Sequence, residues 1–167
     1  NAIEKAELSV TRAAFTGGEP ISRYLQAFKV DLFLSKSAED VQAAIDAGFA
    51  AALLYAPPDH RSDQPGGQIR IAFDGDAVLF SDEAERVYTA SGLAEFNRSE
   101  TESRETPLPG GPFKPFLAAL QGIQSDFPAQ DTPIRTALIT ARGAPAHERV
   151  IKTLRSWGIR IDEALFL

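Results

Sequence analysis

Cysteine and methionine are both absent from this 167-residue chain, which also has only one tryptophan and two histidines. Without cysteine there can be no disulfide and no thiolate metal site, and a reducing compartment such as the cytoplasm fits. A translated chain without methionine is expected to be part of a longer one. It also stops inside the apolar run IRIDEALFL, a poor place for a protein to end. No apolar stretch approaches the roughly 20 residues that cross a bilayer and no signal peptide is recognisable, so no membrane partner is expected. Positive charge is also scarce. Seventeen Lys and Arg against 23 Asp and Glu leave a net charge of -6, which argues against a general affinity for nucleic acid or anionic lipid. What remains is one domain of ordinary size with enough apolar residue, 44%, to bury a core.

The chain is organised around Ile69 to Glu83, IRIAFDGDAVLFSDE. Its opening run, rich in Ile and Phe, predicts a strand buried on both faces. It ends in Asp74 and Asp76, separated by Gly75. In an open α/β sheet, ligands bind at the carboxyl ends of the strands. Two carboxylates placed there are costly unless a cation, a proton or a phosphoryl group uses them.

Either side of this stretch, strand and helix signals alternate. Ala2 to Val10 has roughly helical spacing and leads into the apolar step Arg12 to Phe15, which the turn Thr16-Gly17-Gly18 breaks. Such a turn can act as an anion nest, but most are connections. Ile21, Tyr24, Leu25 and Phe28 mark an amphipathic helix, and Val30 to Leu34 a strand. Ser35 or Ser37 then caps a helix Ala38 to Ala47 that Gly48 ends, before a strand at Ala50 to Tyr55. Pro57 to Gly67 is a polar loop in which His60 has no second ligand at metal spacing, so it reads as a solvated histidine. Beyond the aspartates, Ala77 to Phe80 predicts a turn or short hairpin, and Ser81 to Glu83 caps a helix to about Tyr88. Leu93 to Glu105 is charged, with Phe96 as its one large anchor, and suits a solvated face or a mobile lid. Thr106 to Pro115, stiffened by prolines and hinged by Gly110 and Gly111, returns the chain to a helix at Phe116 to Ser125. A strand at Ile134 to Thr140, a helix at Ala144 to Trp157 stopped by Gly158, and an edge strand at Ile159 to Leu167 complete it. This alternation predicts an α/β fold with parallel connections.

Two strand ends therefore carry polar groups, Asp74-Gly75-Asp76 and Thr140-Ala141-Arg142. Phosphoryl transfer is the chemistry that wants this set. One carboxylate can attack phosphorus, Mg²⁺ can hold it against the phosphate, a second can move the proton, and a threonine hydroxyl can bind the phosphoryl oxygens. Asp-x-Asp alone is unspecific, since Asx-turns and calcium loops share it.

The segment AFDGDAVLFSDE resembles the first motif of the haloacid dehalogenase-like phosphatases, and more closely that of the cytosolic 5′-nucleotidase I family. AAFTGGEP with YLQAF, VDLFLS, EDVQAAIDAGFAAA, GPFKPFLAAL, PIRTALITAR and KTLRSWGIRIDEALFL agree in the same order, so the resemblance covers most of the chain from about Thr11. It implies a three-layer Rossmann-like parallel sheet with a small helical cap, about residues 81–131, inserted after the first motif strand. It also implies Mg²⁺-dependent hydrolysis of nucleoside 5′-monophosphates, typically AMP, through an aspartyl-phosphate. Asp74 is then the nucleophile and a metal ligand. Asp76 is the general acid and base, with its carbonyl on the metal, and Thr140 is the phosphate-binding hydroxyl. Gly75, Ala141, Arg142, Lys114 and Phe80 are candidate substrate contacts. Phe96 and Phe113 could stack on a base or pack. The family's third-motif lysine and fourth-motif aspartates are expected beyond Leu167, which makes 1–167 a single but incomplete domain; Arg149 and Lys152 are weaker stand-ins for the lysine. A phosphatase of another small phosphomonoester and a non-catalytic nucleotide-binding module are the alternatives, and homo-oligomerisation is left open.

Overall fold

The computed structural model describes residues 5–7, 9–56 and 67–167. His60, with the loop around it from Pro57 to Gly66, lies outside the described residues, as does part of the expected helical stretch at Ala2 to Val10. Among the described residues the chain is α/β with every strand pair parallel, in two sheets compatible with a Rossmann-like fold.

The first sheet is small. Helix α1 (Ser22–Phe28) leads to strand β1 (Phe33–Ser35), helix α2 (Ala38–Asp46) and strand β2 (Ala51–Leu53), and β1 pairs with β2 from Phe33↔Ala51 to Ser35↔Leu53. Ser37 is the cap of α2, its hydroxyl accepting the Asp40 N–H at 3.2 Å, while Ser35 accepts the Ser37 N–H at 3.1 Å. Gly48, at φ 83°, donates to the Ile45 carbonyl at 2.9 Å and takes the chain out of α2. Leu25, Val41, Ala44 and Ala51 form the core of this unit. Arg12 to Phe15 is not a strand. It finds no partner strand among the described residues, and Phe15 is 98% exposed. The Thr16 turn is a connection closed by the Glu19 N–H on the Thr16 carbonyl at 3.0 Å.

The second sheet has the order β3-β4-β5, with β3 Ile69–Asp74, β4 Ile134–Thr140 and β5 Glu163–Phe166. Between them come a tight turn, Gly75–Leu79, and helices α3 (Glu83–Glu102), α4 (Lys114–Ser125) and α5 (His147–Ser156). Helix α4 begins two residues before the expected Phe116, because Pro115 is suited to a first helical turn. Gly158, at φ 65°, takes the chain out of α5 as expected. Phe73, Leu79, Phe80, Leu117, Leu138 and Val150 are the centre of the core, and each such buried side chain contributes about 1.5–3 kcal/mol. Among the described residues no helix is long and apolar enough to cross a membrane.

Strand β3 differs from the expectation of burial on both faces. Phe73 is buried and Ile71 half-buried, but Ile69, Arg70 and Ala72 are exposed. The segment IRIAF is an alternation of period two rather than a uniform apolar run. Its register partner β4 alternates in the same way, with Arg135 and Ile139 exposed opposite Arg70 and Asp74. Among the described residues one face of this sheet is packed and the other open.

Helix α3 joins what the sequence divides into a short helix and a charged stretch. It runs through with one break, at Gly92, where φ 75° and ψ -178° depart from helical geometry. The Gly110-Gly111 pair clamps rather than hinges. Phe80 and Gly110 form an antiparallel bridge, the Gly111 N–H donates to the Leu79 carbonyl at 2.8 Å, and the Phe113 N–H to the Val78 carbonyl at 3.1 Å. A Cβ on Gly111 would lie 2.3 Å from the Phe80 carbonyl oxygen, so the turn after β3 is held by backbone that only glycine can bring so close.

Asp162 ties the elements of this unit together. Its carboxylate accepts the Thr136 N–H of β4 at 2.9 Å and the Gln124 amide of α4 at 3.0 Å, and pairs with Arg160. Burial pushes the carboxyl up, but the Thr136 N–H and Arg160 together outweigh this and hold it below the usual carboxylate range. A carboxyl depressed in the folded state stabilises above its unfolded pKa of about 3.9 and loses that contribution as pH falls through the folded value. Asp162→Asn is therefore expected to lower stability by about 1–3 kcal/mol at pH 7. In urea titrations the deficit should close as the pH is brought below the folded pKa.

Candidate active site

The parallel register of β3 and β4 sets the carboxyl ends of the two strands side by side, with Asp74 opposite Ile139 and Thr140 one residue further on. Contact between them is close. A Cβ on Gly75 would meet the Thr140 hydroxyl at 2.9 Å and its Cβ at 3.0 Å, and Thr140 is itself 1% exposed. The chain then turns sharply. Asp76 is extended at φ -72° and ψ 141°, Ala77 is left-handed at φ 60°, and the Phe80 N–H closes the turn on the Gly75 carbonyl at 3.0 Å. This leaves Asp74 exposed, one oxygen accepting the Gly75 N–H at 2.6 Å, and Asp76 half-buried beside it.

Both carboxylates open into a cavity of about 420 Å³ whose other walls include Tyr88, Leu93 and Phe96 of α3 and Ala141 and Arg142 of the loop after β4. Tyr88 and Phe96 meet edge to face with ring centroids 6.4 Å apart. A groove of about 460 Å³ along α3, between Glu83 and Ser99, is lined by residues of that helix alone and lacks both strand-end aspartates.

Arg142 is the electrostatic centre of the site. Its side chain is 1% exposed. The Nε donates to both Asp76 oxygens at 3.0 Å, and Nη2 donates to Oδ1 at 2.7 Å. Nη1 donates to Glu100, on the second half of α3. Burial works against the guanidinium's charge, but Asp76 and Glu100 outweigh it and push its pKa above the usual value. Glu100 is 3% exposed and also accepts Arg149 Nη1 at 2.8 Å, while Arg149 Nε donates to the Thr106 carbonyl at 2.8 Å. The face of Phe96 lies 5.5 Å from the Arg142 guanidinium carbon.

The structure thus brings Asp74, Gly75, Asp76, Thr140, Ala141 and Arg142 together. Two expected substrate contacts stand elsewhere. Phe80 is completely buried, its ring 5.6 Å from that of Trp157, and the Lys114 ammonium sits over Trp157 at 4.4 Å. Neither lines the cavity with the carboxylates. Phe113 packs against the core. Arg149 is buried against Glu100 and Lys152 pairs with Glu105, so neither weaker candidate for the third-motif lysine lines the cavity. Glu100, Tyr88 and Leu93 join the site without any motif to announce them. The only sequence signal for Glu100 is its position four residues after Phe96, on the same helix face.

The model of the family described as 5'-nucleotidase matches residues 1–167. The chain belongs to the 5'-nucleotidase family. Human cytosolic 5'-nucleotidase 1B is 42% identical over 174 residues, an alignment covering 100% of this chain and 28% of that protein, which places the chain within the cytosolic 5′-nucleotidase I group. The chain thus spans just over a quarter of the length of this relative. No solved structure matches it significantly.

Among the described residues no cluster of three or more His, Cys, Asp or Glu side chains could hold a metal. The carboxylates at the cavity are Asp74, Asp76 and, from α3, Glu85. That all-oxygen set fits Mg²⁺, which binds through one or two carboxylates and keeps other positions for water and phosphate.

The Gly75 contact makes a prediction about packing. Gly75→Ala should lower stability by roughly 1–3 kcal/mol, because the buried Thr140 cannot give way. A Cβ added to Gly122 of α4 would meet nothing within 4 Å, so Gly122→Ala should instead raise stability by about 0.5–1 kcal/mol. Thermal melts of the two variants check the pair.

Proposed function

We propose that this chain is the catalytic core of a cytoplasmic, Mg²⁺-dependent 5′-nucleotidase of haloacid dehalogenase-like fold, with residues 81–131 as its cap. The observation that carries the reading is the exposed Asp74 at the end of β3, beside Thr140, facing a cavity that also holds Asp76 and an aromatic wall. Family membership supports the class of reaction.

In this mechanism an Asp74 carboxylate oxygen attacks the phosphorus of a bound nucleoside 5′-monophosphate. The bond from phosphorus to the 5′ oxygen breaks, and the departing oxygen takes a proton from the Asp76 carboxyl. The Thr140 hydroxyl and the Ala141 N–H stabilise charge on the phosphoryl oxygens, while the Gly75 N–H holds the Asp74 carboxylate. Water then attacks the phosphorus of the aspartyl-phosphate and yields a proton to Asp76, which releases phosphate and restores the Asp74 carboxylate. Mg²⁺ held by Asp74 and the Asp76 carbonyl would screen the repulsion between carboxylate and phosphate.

The aromatic wall favours a nucleotide over a sugar phosphate. Tyr88 is 54% exposed, and an exposed ring at a cavity mouth offers a base something to stack on, worth about 1–3 kcal/mol. On the full-length protein, AMP should be hydrolysed in preference to ribose 5-phosphate, and chelation of Mg²⁺ should abolish turnover. Asp74→Asn should reduce kcat by roughly 1,000-fold or more, on the scale seen when a nucleophile is lost. A variant with normal turnover would end the nucleophile assignment. Tyr88→Ala should raise the KM for AMP about tenfold while leaving that for ribose 5-phosphate unchanged, consistent with the loss of one stacking contact.

A further inference from the structure

Four buried or half-buried charges form one alternating chain: Asp76, Arg142, Glu100, Arg149. It runs from the turn after β3, through the loop after β4, to the second half of α3, and on to α5. We propose that Arg142, braced by Glu100, is a positioning residue that fixes the orientation of the Asp76 carboxyl for proton transfer to the leaving oxygen. The proposal rests on the nucleotidase reading and deepens it.

Three features of the geometry point this way. The Nε and Nη2 edge of the guanidinium grips Asp76 from one side through three contacts of 2.7–3.0 Å, which leaves the carboxyl little rotational freedom. The other edge is held by Glu100, which is itself held by Arg149, so the guanidinium plane is fixed from both ends. The loop carrying Arg142 is pinned as well, its N–H donating to the Thr140 hydroxyl at 3.3 Å. An arginine whose role was to clasp phosphate would face the cavity with its fork free. Here that fork is taken by Asp76, and Glu100, 3% exposed, cannot touch a substrate. A lone carboxylate at a strand end needs no such buried counterpart on another helix.

The readout is dependence on the leaving group. A nucleoside oxygen needs a proton as it departs, whereas the nitrophenolate of p-nitrophenyl phosphate leaves without one. On the full-length protein, Arg142→Gln and Glu100→Gln should each lower kcat/KM for AMP at least about tenfold, a part of what a positioned acid supplies. For both variants the loss of kcat/KM on p-nitrophenyl phosphate should be at least about threefold smaller than the loss on AMP. Arg142→Lys keeps the charge but not the fork, and should recover only part of the AMP rate. Should Arg142→Gln fail to fold, Glu100→Gln, which keeps size and an acceptor, carries the same expectation. Equal losses on both substrates, or a rise in KM for both with kcat unchanged, overturn the proposal and make Arg142 a scaffold or a phosphate contact. The wild type's own rate on AMP judges the nucleotidase reading separately. The ratio between the two substrates can be taken with any alkyl phosphate that the wild type hydrolyses, and a protein that hydrolyses none overturns both.

Discussion

The Arg142 guanidinium, almost wholly buried and shared between Asp76 and Glu100, is the interaction on which the rest of the site depends. An isolated charge buried to this degree costs many kcal/mol, and a buried pair is tolerated only where geometry and further hydrogen bonds offset the lost hydration. Here the offset is an alternating set of two carboxylates and two guanidiniums with no net charge. Its far end is secured on the Thr106 carbonyl. Because each member leaves its neighbour uncompensated if removed, the four elements that supply them cannot shift independently. The orientation of Asp76 and the docking of α3 and α5 are consequences of the same contacts.

Glycine supplies the second constraint. Gly75 lets the Asp-Gly-Asp turn lie against Thr140, and Gly111 lets the segment after α3 lie against the backbone of that turn. A side chain at either position would push apart the two strand ends, or the turn and its clamp. The carboxylates are therefore placed by close approach of backbone, with hydrogen bonds from Gly111 and Phe113 holding the turn from behind. Phe80 belongs to this support. Completely buried and against Trp157, it anchors the end of the turn in the core.

Much of this is legible in the sequence where the signal is local. The strand from Ile134 to Thr140, the Ser37 cap, and the glycines after α2 and α5 lie where short-range patterns put them. Asp74, Asp76 and Thr140 are recognisable because a motif and a strand end coincide. The sidedness of β3 is easily missed because Ile and Phe at alternate positions resemble a continuous apolar run until Arg70 and Ala72 are counted. Glu100 and Arg149 are not legible as a pair. A charged residue on a helix looks solvated unless its partner is known, and these partners are separated by 49 positions. Lys114 fails for the converse reason: a basic residue between two polar strand-end motifs invites a substrate role, but its ammonium sits over the only indole in the chain.

The break at Gly92 separates two kinds of surface on α3. The residues before it, 83–91, carry the exposed Tyr88, while those after it, 93–102, carry Glu100, buried and ion-paired to the loop after β4. Moving the second half would strip Arg142 and Arg149 of their shared carboxylate, a loss of the order of 3–5 kcal/mol for a buried pair. Moving the first half would uncover Ala84, itself buried, and disturb the edge contact between Tyr88 and Phe96, worth about 0.5–1.5 kcal/mol beyond its area. The first half of α3 is therefore the more weakly held part of the aromatic wall. The Glu100 brace on Arg142 belongs to the second half alone.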